Sequence, residues 1–131
     1  MRRGIARAGN HATVSFRAWY DTYWAIQDDV LVGRIGLRLE LNEFLATVGG
    51  HVGYIVRPSY RGRGIATRMM EFLIRTPEAV SVGKLLLTCD EGNIASERAI
   101  LKSGGVYEST VFPAGTTIGK KRYWIMTGNQ T

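Results

Sequence analysis

The segment from Tyr54 to Thr67 constrains this chain most. An apolar stretch, Val52 to Val56, runs into a turn holding Gly62 and Gly64, and a helical pattern with apolar Ile65, Met69, Phe72 and Leu73 starts at once. A strand that passes directly into a helix leaves several backbone N–H groups without partners at the positive end of the helix dipole, which makes a ready anion site. Glycine lets the main chain adopt positive φ and approach a phosphate closely. Arg57, Arg61, Arg63 and Arg68 crowd the same turn. A phosphate-bearing ligand is expected there.

The apolar pattern lays out the rest of the chain around that junction. Residues 1–20 show no clear period and are expected to be irregular, with at most one short element. Thr22 to Gln27 predicts a strand, Asp28 and Asp29 a tight turn, and Val30 to Leu41 a long second strand. In that strand Leu31, Ile35, Leu37, Leu39 and Leu41 are expected on a buried face, with Arg34, Arg38 and Glu40 on a wet one. Gly49 and Gly50 end the next connection, and His51 to Val56 predicts a third strand. Pro77 interrupts the helix that begins near Ile65, either as a kink or as a restart capped by Thr76.

Lys84 to Cys89 is almost wholly apolar and suits a central strand covered on both faces. Asn93 to Ser103 predicts an amphipathic helix with Ile94, Ile100 and Leu101 in the core, stopped by Gly104 and Gly105. Val106 to Phe112 and Lys121 to Met126 predict two final strands. There is no repeat, low-complexity tract or interdomain linker, so residues 1–131 are expected to form a single domain.

Composition removes several classes. Hydrophobic content of 45% and charged content of 21% are ordinary for a globular protein. No apolar run approaches the roughly 20 residues needed to span a bilayer, and the basic N-terminus lacks the apolar segment of a secretory signal. Cys89 is the only cysteine, so no internal disulfide can form and a reducing, cytoplasmic setting is expected. No metal site is expected.

The net charge of +6 fits a basic surface kept for solubility or the attraction of an anionic ligand. Nucleic acid ranks last, because RNA-binding arginine-glycine tracts are repeated and disordered, whereas Arg61 to Gly64 stands once between a strand and a helix. A dinucleotide fingerprint is disfavoured: it follows the first strand of a parallel sheet, and Thr67 occupies its third glycine. No Gly-Lys-Ser/Thr triplet follows the turn, which removes a nucleotide-hydrolase P-loop.

Two motifs in order carry a family resemblance. Arg61, Gly64 and Ala66 fit an Arg/Gln-x-x-Gly-x-Gly/Ala turn, and Asn93, Ser96, Lys102 and Gly104 fit a second signature of Asn-x-x-Ser followed by Lys-x-Gly. With these the chain resembles the GNAT superfamily of acyl-CoA-dependent N-acyltransferases, from about Trp19 to Ile125, and in particular a bacterial branch of it. The resemblance implies an α/β (α+β) fold, a mixed and mostly antiparallel central sheet with helices on both faces. It implies acetyl-CoA as the cofactor. Backbone groups near Ile55 and Val56 would pair with the pantetheine arm. Amides of Gly62, Arg63, Gly64, Ile65, Ala66 and Thr67 would hold the pyrophosphate, with Arg61 and Arg63 adding charge. Asn93 and Ser96 would touch the pantetheine region or cap the last helix.

Acyl transfer to an amine needs an unprotonated amine, a donor for the developing oxyanion and help for the leaving thiolate. His51 and Glu43 are the expected bases, His51 because a neutral imidazole accepts a proton near pH 7. A strand N–H near Val56 is the expected oxyanion donor. Many relatives place a tyrosine seven residues after the signature asparagine; here that position is Ile100, which leaves Tyr107, Tyr123 or water. About 20 residues precede the Thr22–Leu41 hairpin, where the family usually has a strand and one or two helices. An open acceptor side and a homodimer are therefore expected. The expected function is transfer of an acetyl group from acetyl-CoA to a primary amine within a ternary complex, the alternative being a catalytically silent acyl-CoA sensor. The acceptor is expected to be a small molecule or peptide, without nucleic acid or membrane partners.

Overall fold

The computed structural model describes residues 3–8, 12–19 and 21–128. Five strands, β1 (Arg3–Ala8), β2 (Ala12–Trp19), β3 (Thr22–Gln27), β4 (Val30–Leu37) and β5 (Val52–Val56), pair antiparallel in chain order. The first two correct the expectation of an irregular start. Val14, Phe16 and Ala18 are buried and alternate with Thr13, Ser15 and Arg17, a period of two that defines a half-buried strand. Of residues 1–20, positions 1, 2, 9–11 and 20 lie outside the described residues.

Asp28 and Asp29 join β3 to β4 with φ of 51° and 62°, the mirror-image turn that suits a two-residue hairpin. β4 is shorter than expected and bulged. It ends at Leu37, and Leu39 is exposed beyond it. Val32 is an extra residue between the pairs Ala25–Gly33 and Ile26–Leu31. One inserted residue inverts the alternation. Leu31 therefore faces solvent, and Val32 takes the core position that Leu31 was expected to fill.

From β5 the chain crosses through α1 (Ile65–Leu73) and α2 (Pro77–Val82) to β6 (Lys84–Asp90). Pro77 marks a restart: the Ala79 N–H donates to Thr76 Oγ1 at 3.3 Å, and proline takes the first helical position. α3 (Ile94–Lys102), β7 (Val106–Val111) and β8 (Lys120–Met126) follow, and a second antiparallel sheet forms in the order β6-β8-β7. In α3 the buried residues are Ala99 and Ile100. Ile94 and Leu101, expected in the core, are 54% and 50% exposed. Successive helical residues lie about 100° apart, so Leu101 turns off the face that Ile100 buries.

Helices α1, α2 and α3 share one face of the sheets. Ile65, Met69, Met70 and Leu73 of α1 meet Phe16, Ile35 and Val56, and Phe72 stacks on Phe16 at 4.2 Å between ring centroids. A π-helical turn at Leu45–Gly49 lies against the opposite face of the second sheet, where Thr88 Oγ1 donates to the Val48 carbonyl at 2.5 Å. Helical segments thus occupy both sides, as expected, but no described helix covers the outer face of β2, β3 and β4.

Candidate functional site

The two sheets meet at one seam. His51 donates its N–H to the Leu86 carbonyl at 2.8 Å, and the Leu86 N–H donates to His51 Nδ1 at 2.8 Å. Gly50 makes this approach possible: its φ is +67°, and a Cβ there would lie 2.4 Å from the Leu86 carbonyl oxygen. Beyond that point the described residues of β5 and β6 share no backbone hydrogen bond. The sheets part, and one edge of β5 is left open.

The ladder between β4 and β5 fixes which groups face that opening. At its ends Arg38 N–H donates to the His51 carbonyl at 2.6 Å and Arg57 N–H to the Val32 carbonyl at 2.7 Å. In an antiparallel pair the bonding positions alternate. Gly53 and Ile55 therefore bond toward β4, and Val52, Tyr54 and Val56 direct their main-chain groups to the opening. The expectation for Ile55 is corrected: its backbone is engaged within the sheet, and its side chain is 50% exposed on the helix-free face. The Val56 carbonyl accepts Arg61 Nε–H at 3.2 Å.

At the same end of β5 lies the start of α1. A 3₁₀ turn at Pro58–Tyr60 leads into Gly62 and Gly64, with φ of 77° and 79°. α2 and α3 are capped by Thr76 and Asn93, whereas α1 has no side-chain cap. Six consecutive N–H groups, from Gly62 to Thr67, make no hydrogen bond among the described residues. Arg61 and Arg63 are exposed around them, with the Arg63 guanidinium 4.8 Å from the Tyr60 ring centroid. Arg68 is paired with Glu71 at 2.8 Å.

The far wall of the opening is the start of α3. Asn93 caps that helix, its Oδ1 accepting the Ser96 N–H at 3.2 Å. Ser96 Oγ is hydrogen-bonded to the Tyr54 hydroxyl, so Tyr54 ties β5 to α3 across the opening. Burial is the main cause that raises the Tyr54 pKa. No local feature of the sequence pairs Tyr54 with Ser96, 42 positions apart; the contact exists only because β5 and the start of α3 are brought together. Below it, Glu97 accepts from Tyr123 and from Lys121, the latter at 2.8 Å. Burial also raises the Tyr123 and Cys89 pKa values, and Cys89 is a buried core thiol. Ile100 is fully buried.

The two expected bases fare differently. His51 is buried, and burial holds its pKa below the usual histidine value. Its Nδ1 lone pair is committed to the Leu86 N–H, so the neutral ring carries its proton on Nε2 and has no lone pair left for an amine. His51 is a strut of the seam. Glu43 is exposed in the connection, two residues before the π-helical turn.

The acetyltransferase (GNAT) domain family matches residues 4–106. No curated protein matches the sequence. Among solved structures, a GNAT-family acetyltransferase from Bacillus anthracis aligns with a TM-score of 0.64 and 20% identity, covering 82% of this chain and 66% of that one. A Salmonella typhimurium protein assigned as an acetyltransferase, solved with its cofactor acetyl-CoA, gives 0.64 and 14%, covering 84% and 65%. A spermidine N-acetyltransferase chimera that is partly from Vibrio cholerae gives 0.61 and 18%, covering 81% and 66%. The chain spans just under two thirds of the length of each. The family match covers most of the chain: the chain belongs to the GNAT acetyltransferase family.

Proposed function

We propose that the chain is an N-acetyltransferase that moves an acetyl group from acetyl-CoA to a primary amine, with both bound together. The observation that carries this reading is the run of unpaired N–H groups from Gly62 to Thr67, set beside the open edge of β5. A diphosphate fits the run, because it supplies acceptors for donors that otherwise have none and a negative charge at a helix start. Tyr54 and Val56 would bond an extended amide-bearing arm as an added strand would. Asn93 and Ser96 stand on the opposite wall. The Tyr54 N–H, aimed into the opening, is the donor best placed for a developing oxyanion.

The donor supplies the thioester. An amine N–C bond forms as the C–S bond breaks, an amide and a free thiol result, and one ammonium proton leaves to solvent. The chain's contribution is to align the two reactants, which by itself removes much of the barrier. With the His51 lone pair engaged, no base is assigned to it, and the proton leaves through water on the open face.

Isothermal titration with acetyl-CoA, followed by an assay for amine-dependent thiol release, tests the reading. Absence of binding would refute it. A second reading, a silent acyl-CoA sensor, is favoured by the engaged His51 and by Ile100, where relatives carry a tyrosine. Binding without thiol release across a broad amine panel would select the sensor.

A further inference from the structure

On the helix-free face the register aligns Arg17, Trp24, Arg34 and Ile55 as direct partners across β2, β3, β4 and β5. Arg17, Arg34 and Ile55 are exposed, and the Arg34 guanidinium lies 5.9 Å from the Trp24 ring centroid. Among the described residues neither arginine has a carboxylate partner. Across β2 to β5 every acidic residue is absent from the strands themselves. This row therefore begins at the opening beside β5 and runs outward over unopposed positive charge.

We propose that the row seats an acidic peptide whose free α-amino end reaches the opening beside Ile55. The proposal rests on the acetyltransferase reading and names its acceptor class. Neighbouring strands are about 4.8 Å apart, so Arg34 lies about 5 Å and Arg17 about 14 Å from β5. An extended peptide advances about 3.3 Å per residue, which puts carboxylates from about its second to its fifth residue over the two guanidiniums. Guanidinium and carboxylate match in charge and in their paired donors and acceptors.

The amine chemistry points the same way. An α-amino group has a pKa of about 7.7–8.0 and a lysine amine about 10.4. Near pH 7.4 about a quarter of the former is unprotonated, against about one in a thousand of the latter. A site whose histidine is engaged elsewhere favours the amine that needs no strong base. A cationic row also repels polyamines.

The test uses fluorescence anisotropy with peptides of about eight residues, free at the N-terminus and labelled at the other end, in the presence of CoA. One carries aspartate and glutamate near its start, one the matching amides, and one lysines. The acidic peptide is expected to bind about tenfold tighter than the amide peptide, more weakly as salt rises. The double charge reversal Arg17→Glu with Arg34→Glu is expected to lower that affinity about tenfold and to shift preference toward the lysine peptide, with CoA affinity unchanged. The milder Arg17→Gln and Arg34→Gln pair guards against misfolding, checked by circular dichroism. Equal binding of acidic and amide peptides, or tighter binding of a single-stranded oligonucleotide, would overturn the proposal. Peptide binding without thiol release would count against acetyl transfer and for the peptide site.

Discussion

His51 and Leu86 clasp each other twice, through the backbone N–H of His51 to the Leu86 carbonyl and through the Leu86 N–H to the imidazole Nδ1, both at 2.8 Å. This clasp closes one end of the seam between the sheets. Further along, the strands part, and Tyr54 with Ser96 and Thr88 with Val48 supply further links between the halves.

Protonation of His51 destroys the acceptor at Nδ1. Its folded pKa is depressed by burial, so its contribution to stability is full above the free value of about 6.5 and is lost as pH falls through the folded value. Urea unfolding between pH 8 and pH 5 is expected to show wild type weakening on the acid side, while His51→Gln, which keeps an acceptor but does not titrate, lacks that step. His51→Ala leaves the Leu86 N–H unpaired and is expected to cost about 1–3 kcal/mol. An unchanged unfolding midpoint in His51→Ala would remove the strut role.

Gly50→Ala attacks the same seam from the backbone side. A Cβ at this position faces both the positive φ of +67° and a main-chain oxygen at 2.4 Å, which cannot rotate aside. The expected loss is about 3 kcal/mol or more, read from chemical denaturation. A loss below about 1 kcal/mol would mean that the seam is looser than described.

Gly64→Asp separates anion binding from folding. Aspartate tolerates the left-handed backbone better than most residues, and no atom lies within 4 Å of a Cβ placed there. Its carboxylate would compete for the free N–H groups and repel phosphate. Calorimetry is expected to find CoA affinity reduced about tenfold or more, with only a small fall in melting temperature. Equal affinity would move the diphosphate elsewhere.

Tyr54→Phe and Ser96→Ala each break the hydrogen bond between the Tyr54 hydroxyl and Ser96 Oγ that spans the opening. Each is expected to cost about 1 kcal/mol, and the double variant about the same as either alone. Additive losses in a double-mutant cycle would show that the two hydroxyls act independently.

Much of this was legible in the residues. The glycine turn, the helix after it, the Thr76 restart and the Asn93 cap all follow from local chemistry that acts within a few positions. The apolar run Lys84–Cys89 likewise predicts a strand, but β6 stands at the edge of its sheet beside the seam and not at its centre. The alternation of Val14, Phe16 and Ala18 is equally local, a period of two that the expectation of an irregular start does not use. Other features depended on partners distant in sequence. The bulge at Val32, which sent Leu31 outward, exists only because β3 pairs with β4 in one register. The ladder from Arg38 to Arg57 decided that Tyr54 rather than Ile55 faces the opening.

By itself the sequence determined that a glycine turn and an uncapped helix start follow a strand, because glycine φ and unpaired amides are properties of a short stretch. Tertiary structure decided what His51 does, since a lone pair is available or spent only by virtue of what lies against it. It likewise decided that Arg17 and Arg34, 17 positions apart, share one row of a sheet face that no described helix covers.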